Sequence, residues 1–310
     1  MRIVRLTIIL LAGFFAGPTG WAESAASVRL LTIGNSFAEN AVKYLPQFAR
    51  AAGRELHIFE ANLSSHSLEQ HWRYVQRYEA DPLDLAGRPY KGAAGQPEAR
   101  SLAEVLASEP WDYITLQQVS HLSYKEESFQ PWLGELVAYL RRCAPRAEIL
   151  LHETWAYRED HPLYREGFSI HDMAARIAAN YRKLADAYQL RVLPVGSAFQ
   201  AVRVAEGWRF TFPDPAFDYA QPAPGALPRQ PGSLNRGWTW RKNRTTGADE
   251  LRLDAIHANA AGCYLAGAVW FEMLFGEDGT GNPFRPPELS AADAAFLRQT
   301  AHQAVASPTR

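Results

Sequence analysis

Two short segments, far apart in the chain, carry residue types that could together perform nucleophilic catalysis. In the first, Leu30–Phe37, an apolar strand ends, Gly34 permits a tight turn, and Ser36 stands where the next helix begins. In a parallel α/β sheet this is the carboxyl end of a strand, where ligands bind. Ser36 could act there as a nucleophile whose own backbone N–H helps to hold an oxyanion. Equally, the serine could only cap the helix, a role that suits it well.

The second segment is Asp254-Ala255-Ile256-His257, directly before the apolar helical pattern Ala258–Phe275. We expect a first helical turn, in which residues three apart are neighbours. The Asp254 carboxylate could then accept the His257 Nδ1–H and leave Nε2 free as a base. A plain helix cap beside a solvated histidine is the competing interpretation. No Gly-x-Ser-x-Gly occurs in the chain, which excludes the nucleophile elbow of α/β-hydrolases as a local motif.

Between these segments, short β-rich runs alternate with longer helical patterns. The expected strands are Val28–Ile33, Leu56–Asn62, Tyr113–Gln117, Glu148–Thr154 and Arg191–Val195. The expected helices are Glu39–Ala52, Leu68–Tyr78, Ser101–Ser108, Pro131–Cys143, His171–Tyr188, His257–Phe275 and Ala291–Ala304. Several strands are continuously apolar, as buried parallel strands are. The alternation predicts an α/β fold with a parallel sheet covered by helices on both faces.

Two segments interrupt this alternation. Residues 81–100 are polar and contain Gly and Pro, which indicates a loop or hairpin insertion. Residues 208–251 form a long connection that is rich in aromatic side chains, namely Trp208, Phe210, Phe212, Phe217, Tyr219, Trp238 and Trp240. Such rings could stack on sugars, or they could simply pack the loop onto the body of the domain.

Composition and the amino terminus limit where the protein works. Of the 310 residues 47% are hydrophobic and 21% charged, typical of a globular protein, and a net charge of −1 gives no sign of a nucleic-acid partner. Arg2 and Arg5 precede an apolar run, Leu6–Phe15, which is shorter than the ~20 residues needed to span a bilayer. We therefore expect a cleaved signal peptide over 1–22, and a single domain over 23–310 that is periplasmic or secreted and not held in a membrane.

These blocks resemble the SGNH (GDSL-like) hydrolases, with Gly34-Asn35-Ser36 after the first strand and Asp254-x-x-His257 near the end. Three middle stretches, Ser67–Trp72, Thr115–Ser120 and His152–Tyr157, are similar to a bacterial branch known only as a domain of unknown function. The resemblance spans about residues 28–275. It implies a flavodoxin-like three-layer α/β/α sandwich and ester hydrolysis through an acyl-enzyme, with Ser36 attacking and His257, oriented by Asp254, taking its proton.

The resemblance also implies an oxyanion hole made by the N–H of Ser36, a glycine N–H after the second strand, and an asparagine side chain after the third. This sequence has Ser64-Ser65-His66 at the glycine position, so we place Ser65 there. In place of the asparagine block it has Gln117-Gln118-Val119-Ser120. A glutamine amide can donate the same hydrogen bond. We assign Gln118 to this role, with Gln117 and Ser120 as alternatives.

Weaker expectations concern substrate contacts, metals and thiols. His152 and Trp155 end an apolar strand at the carboxyl edge of the sheet and could line the site, as could Trp238 and Trp240 of the long loop. His66, His71, His152 and Glu153 show no HExxH or comparable spacing, so we expect neither a metal nor another cofactor. Cys143 and Cys263 both fall in apolar helical patterns, where buried thiols are common, and their pairing stays open.

Together these features predict an exported carboxylic ester hydrolase that removes acetyl or another short acyl group from a glycan. The carbohydrate part depends on family analogy and on the aromatic loop. An acyltransferase on the same fold would use the same three residues but pass the acyl group to a sugar hydroxyl. A non-catalytic glycan-binding protein is the third alternative, because both later oxyanion positions are altered.

Overall fold

The structure, a computed structural model, describes residues 27–91, 98–164 and 167–307. The signal peptide expected over 1–22 lies outside these ranges. Among the described residues, no helix is both long enough and apolar enough to cross a membrane. Both cysteines are free thiols, with Cys143 exposed and Cys263 buried.

A central sheet of parallel strands organises the domain. The strands in chain order are β1 (Ser27–Gly34), β2 (Glu55–Asn62), β3 (Tyr90–Lys91), β4 (Ala99–Arg100), β5 (Tyr113–Leu116), β6 (Glu148–His152), β7 (Arg191–Leu193), β8 (Asn235–Lys242) and β9 (Asp249–Ala258). Five of them form the parallel sheet in the order β2-β1-β5-β6-β7. This is the flavodoxin-like order, and the fold predicted from the sequence is confirmed.

Helices cover both faces of this sheet. They are α1 (Ser36–Val42), α2 (Leu45–Ala51), α3 (Leu68–Ala80), α4 (Leu102–Ser108), α5 (Trp132–Cys143), α6 (Ile170–Tyr188), α7 (Val195–Val204), α8 (Ala260–Phe275) and α9 (Ala291–Ala306). The almost wholly buried α8 packs against α1, α2, α7 and α9, whereas α3 packs against α4 and α5. Apolar side chains of β1 lie at the centre of the continuous core, with Leu30, Leu31 and Ile33 fully buried.

Helix boundaries differ from the sequence expectation in two places. The single helix expected over Glu39–Ala52 is two short helices, because Pro46 lacks an N–H and is tolerated only in the first turn of a new helix. No helix was expected over Val195–Val204, but α7 begins there directly after the short strand β7. Gly196 permits this abrupt start, since a Cβ there would lie 2.2 Å from the Thr154 carbonyl oxygen.

Both insertions contain hairpins. In the first, β3 pairs with β4, as the loop-or-hairpin expectation allowed, and residues 92–97 between them lie outside the described ranges. The second was expected only as a loop, but its last part is the antiparallel hairpin β8–β9. Strand β9 continues to Ala258, so the hairpin delivers the Asp254–His257 segment directly to the start of α8.

Candidate active site

The structure brings Ser36, His257 and Asp254 together although 221 positions separate the serine from the histidine. The Ser36 hydroxyl oxygen lies 3.0 Å from His257 Nε2. On the other side of the ring, His257 Nδ1 lies 2.9 and 3.1 Å from the two carboxylate oxygens of Asp254. A neutral imidazole whose Nδ1–H is held by the carboxylate presents the Nε2 lone pair to the serine hydroxyl.

The expectation that Asp254 and His257 lie in a helical turn is wrong. Both belong to β9, where alternate side chains normally point to opposite faces. The hairpin register is irregular here, because Asn235 pairs with Ala258 whereas Gly237 pairs with Asp254. The extra residues on β9 form a bulge, which bends the strand and re-aims side chains. Asp254 also accepts the His257 backbone N–H at 3.0 Å, so the carboxylate holds both the ring and the main chain.

The structure also shows that Ser36 is not the residue that caps α1. Asn35 is the N-cap of α1, and its side-chain oxygen accepts the Phe37 backbone N–H at 3.1 Å. Gln117 donates to the same oxygen at 2.7 Å, and the Asn35 amide donates to the His66 carbonyl at 3.0 Å. With Asn35 capping the helix, the Ser36 hydroxyl is left to face His257.

Two buried side chains fix Ser36 and His257 relative to each other. Asn40, one turn after Ser36 on α1, accepts the backbone N–H of Ala258 at 2.9 Å. Trp155 stacks on Phe37 with a 4.1 Å centroid separation and donates its indole N–H to the Ile256 carbonyl at 3.0 Å. The residues next to Ser36 and next to His257 are therefore tied together through the core, which preserves their geometry.

Charge around Asp254 favours its ionised form. Burial by itself raises the pKa of Asp254, but hydrogen bonds from the His257 ring and backbone, together with nearby Arg236, outweigh burial and hold this pKa well below its usual range. Arg236 and Arg241 place guanidinium nitrogens 3.7 and 3.3 Å from Asp254 Oδ2. Asp254 is therefore an acceptor and not an acid at any pH near neutrality.

A cavity of about 300 Å³ opens beside the serine. Its lining comes mostly from loops that follow sheet strands at their carboxyl ends, namely Asn35, Ser36, Phe37, Ser65, Val119, Ser120, His121, Tyr124, Tyr157, His161, Leu163, Ile256 and His257. Ser65 lies at its edge with a left-handed φ of 60°. Such a conformation is uncommon for a residue with a side chain and natural for glycine, the residue that the family resemblance implies at this position.

The assignment of Gln118 to the oxyanion hole is wrong. This side chain is buried and does not line the cavity. Its amide nitrogen donates to the Ser128 carbonyl at 2.8 Å and to the Ser128 hydroxyl at 3.3 Å, and its oxygen accepts the backbone N–H groups of Leu68 and Val119. Gln118 therefore joins neighbouring loops, and no donor remains for a ligand.

Of the two alternatives, only Ser120 reaches the cavity. Gln117 is buried beneath Asn35, donates to it, and accepts from His152 Nδ1 at 2.7 Å. Ser120 lines the cavity with Ser36 and Ser65, and its hydroxyl lies 3.0 Å from the Tyr157 hydroxyl. If the tyrosine donates in this pair, the Ser120 proton is free to point at a ligand.

The structure places none of the four weaker substrate-contact candidates at the cavity, since His152 and Trp155 are buried in the core and Trp238 and Trp240 are half-buried away from it. His152 is fully buried with its ring edge-on to Trp270, and burial lowers the pKa of His152 to about 3, so the ring is neutral. Trp155 lies between Phe37 and Phe199. The indole N–H groups of Trp238 and Trp240 donate to Asp160 and to the Ala226 carbonyl. Within the described residues, none of the four lines the cavity.

The aromatic side chains of the long loop also pack on one another. Tyr219 contacts Phe212, Phe217 and Trp238, at centroid distances of 5.6, 4.9 and 5.4 Å. Phe210 lies under the Arg158 guanidinium at 4.2 Å. Packing, rather than a sugar-stacking surface at the serine, is the role that these contacts support.

Glu153, which was considered as a metal ligand, is a buried carboxyl whose effect on stability is testable. Both its oxygens accept from Ser197 Oγ, at 2.9 and 3.2 Å, and burial raises the pKa of Glu153 to about 7. The folded protein therefore keeps a proton on Glu153 that the unfolded chain loses above the ordinary pKa of 4.5. As a result, the free energy of unfolding falls as the pH rises from 4.5 to about 7, and the destabilisation is fully present above that pH.

Replacing Glu153 with glutamine is therefore expected to raise the thermal unfolding temperature at pH 8.5 and to change it little at pH 4. The alkaline gain in unfolding free energy is about 1–3 kcal/mol, since a pKa unit corresponds to ~1.4 kcal/mol. Thermal melts at the two pH values measure it, with exposed Glu127→Gln as the control. A Glu153→Gln variant that is less stable than the native protein at pH 8.5 would contradict the buried-charge account.

Four residues that line the cavity were not predicted from the sequence. His121 and Tyr124 follow β5, and Tyr157 and His161 follow β6. Their place after strand ends was a signal, because parallel strands present their carboxyl ends at one edge. The conformation of each loop decides which of its side chains turn toward the cavity. Loops have no periodic sequence pattern from which this direction could be predicted.

The fold and the site together define a flavodoxin-like α/β/α protein in which Ser36, His257 and Asp254 are in contact beside the carboxyl end of β1. More particularly, the chain belongs to the DUF4886 family, a domain of unknown function whose family model matches residues 29–206. The sequence resemblance to a bacterial branch known only as a domain of unknown function is thereby confirmed.

The chain is also similar to several solved structures. A DUF4886 family protein from Bacteroides uniformis is 25% identical, with 92% of this chain and 96% of that chain covered and a TM-score of 0.68. A protein from Slackia heliotrinireducens, provisionally described as an SGNH hydrolase, is 20% identical, with coverage of 79% and 98% and a TM-score of 0.47. The aryl esterase of M. smegmatis is 15% identical, with coverage of 55% and 85% and a TM-score of 0.36. No curated protein matches this chain.

Proposed function

We propose that this protein is a serine ester hydrolase. The single observation that carries the proposal is the relay from Asp254 through His257 to Ser36, with the serine hydroxyl on the wall of an open cavity. The start of α1 positions Ser36, the bulge in β9 positions Asp254 and His257, and buried Asn40 holds the two segments together. That convergence favours catalysis over glycan binding alone.

The geometry suits acyl transfer in two steps. As Ser36 Oγ attacks the ester carbonyl carbon, its proton passes to His257 Nε2 across the 3.0 Å contact. The carboxylate of Asp254 stabilises the imidazolium that forms and remains ionised itself. Collapse of the tetrahedral intermediate breaks the bond to the alcohol, which takes the proton from His257 and leaves an acyl-enzyme. Water then repeats the attack, with His257 again as base, and releases the acid and free Ser36.

Three donors at the cavity edge would hold the negative oxygen of the intermediate. The backbone N–H of Ser36 lies at the start of α1, and Ser65 presents the second backbone N–H from its left-handed turn. The Ser120 hydroxyl, supported by Tyr157, supplies the third donor in place of an amide side chain. Donors that are fixed before reaction stabilise developing charge without reorganisation.

Replacing Ser120 with alanine is expected to lower kcat about 10²-fold with a much smaller change in KM, because an oxyanion donor acts mainly on the transition state. Ser120→Thr keeps the hydroxyl and should retain most of the activity. Steady-state kinetics on a short-chain ester measure both variants. Full activity of the alanine variant would remove Ser120 from the oxyanion hole.

Hydrolysis of p-nitrophenyl acetate together with trapping by a fluorophosphonate tests the proposed function. We expect turnover by the native chain and a covalent adduct mapped to the peptide that contains Ser36. Absence of both turnover and adduct would overturn the proposal. Turnover that appears only when a sugar acceptor is added would instead establish the acyltransferase alternative.

Substrate and location extend the proposal further. A cavity of about 300 Å³ suits acetyl or another short acyl group better than a long chain, and we propose an acylated glycan as substrate. We also propose export, on the basis of Arg2, Arg5 and the apolar run Leu6–Phe15. Amino-terminal sequencing of the protein recovered outside the cytoplasm tests export, and a sequence beginning at Glu23 is expected.

A further inference from the structure

His161 lies on the wall of the same cavity as Ser36 and His257, in the loop that follows β6. This loop is held rigidly against the hairpin. The Arg158 backbone N–H donates to the Ala255 carbonyl at 2.9 Å, two residues before His257. The buried Arg158 guanidinium pairs with Asp160 through two hydrogen bonds of 2.8 and 2.6 Å. The position of the His161 ring relative to the reacting serine is therefore fixed by the fold.

Hydrogen bonding also determines which nitrogen of His161 carries the proton. The backbone N–H of Leu163 donates to His161 Nδ1 at 3.0 Å, so Nδ1 is an acceptor. Burial lowers the pKa of His161, although neighbouring Asp160 opposes the shift. The neutral ring must then hold its hydrogen on Nε2. Across residues 27–91, 98–164 and 167–307, no side chain or backbone group is hydrogen-bonded to that nitrogen.

The rest of the cavity is polar but carries no permanent charge. Besides His161, His257 and the serines, its polar lining consists of Asn35, His121, Tyr124 and Tyr157. None of the described lining residues is Lys, Arg, Asp or Glu. A cavity of this kind favours a neutral ligand with oxygen acceptors over an anion or a cation, because a charge entering it would lose water without gaining a counter-charge.

We propose that His161 is a specificity-determining residue, donating its Nε2–H to an oxygen of a neutral, polyhydroxylated alcohol portion of the substrate. This inference rests on the proposed ester hydrolase function. A sugar hydroxyl or ring oxygen can accept this bond, whereas a simple alkyl alcohol offers no acceptor beyond the ester itself. The donor therefore separates sugar esters from alkyl esters that carry the same acyl group.

The test compares kcat/KM for a monoacetylated methyl glucoside with kcat/KM for ethyl acetate. We expect the native enzyme to prefer the sugar ester, and His161→Ala to lower the ratio of the two constants about 10–100-fold, as expected when a hydrogen bond to substrate is lost. His161→Gln keeps an N–H donor at a similar reach and should restore part of the ratio. His171→Ala, on exposed α6 surface away from the cavity, is the matched control.

The outcomes separate this inference from the function on which it rests. An unchanged ratio in His161→Ala, or equal losses on both esters, would overturn the role of His161 while leaving ester hydrolysis in place. A native enzyme that hydrolyses neither ester and is not labelled by a fluorophosphonate would overturn both. A reduced ratio that glutamine partly restores is the result that supports the inference, because a merely structural defect would affect both esters alike.

Discussion

His257→Ala is expected to lower kcat for a short-chain ester about 10⁴–10⁶-fold, nearly as much as Ser36→Ala. Without the imidazole, Ser36 loses the base that lies 3.0 Å from its hydroxyl, and an unactivated serine is a poor nucleophile. Because the two residues act as a unit, the double variant should be little worse than either single one. The loss is measured by steady-state ester hydrolysis and by the rate of covalent labelling with a fluorophosphonate.

The controls for this experiment replace the same residue types outside the cavity. Ser108, exposed at the end of α4, and His57, exposed on β2, can each be changed to alanine. Both variants should keep native rates. If His257→Ala retained most of the activity while remaining folded, His257 would not be the base, and the proposed mechanism would fail.

Asp254→Asn is expected to lower kcat about 10³–10⁴-fold, which is a smaller loss than either of the other two replacements. The amide is uncharged and cannot stabilise the imidazolium, and its NH₂ group facing Nδ1 favours the tautomer that puts the hydrogen on Nε2. In that tautomer His257 has no lone pair to offer Ser36. Steady-state kinetics give the size of the effect.

Asp254→Glu is the matched comparison, because it keeps the charge on a longer side chain. We expect it to be more active than Asp254→Asn. Circular dichroism and thermal melts of both variants show whether the bulge in β9 survives, since Asp254 also accepts the His257 backbone N–H. An asparagine variant with native kcat would show that the carboxylate has no part in catalysis.

The strands of the sheet were predictable from the sequence because their signal is local. The run that becomes β1 is continuously apolar, and Leu30, Leu31 and Ile33 are fully buried, as a strand covered on both faces requires. The expected strands Val28–Ile33 and Leu56–Asn62 match β1 and β2 to within one residue at each end. Ser36 and His257 were proposed as site residues from residue type and from their place along the alternating strands and helices.

The errors arose where a role depends on the direction of a side chain. Gln118 follows a strand and carries a suitable amide, as an oxyanion donor should, yet it points into the protein and joins Leu68, Val119 and Ser128. Trp155 likewise follows β6 but stacks on Phe37 in the core. Residue type and position are the same for a side chain that turns inward or outward, so the sequence could not separate these cases.

By itself, the sequence determined the layered α/β architecture, the position of Ser36 after β1 and the pairing of Asp254 with His257, because apolar periodicity and residue type are properties of short local segments. The tertiary structure decided how the two ends of the site meet: a bulge in β9, not a helical turn, aims His257, and Asn40 on α1 holds the following backbone N–H. It also decided that Ser120 and His161, rather than Gln118 and the tryptophans, face the cavity. Such contacts join residues distant in sequence, and they exist only once the chain has packed.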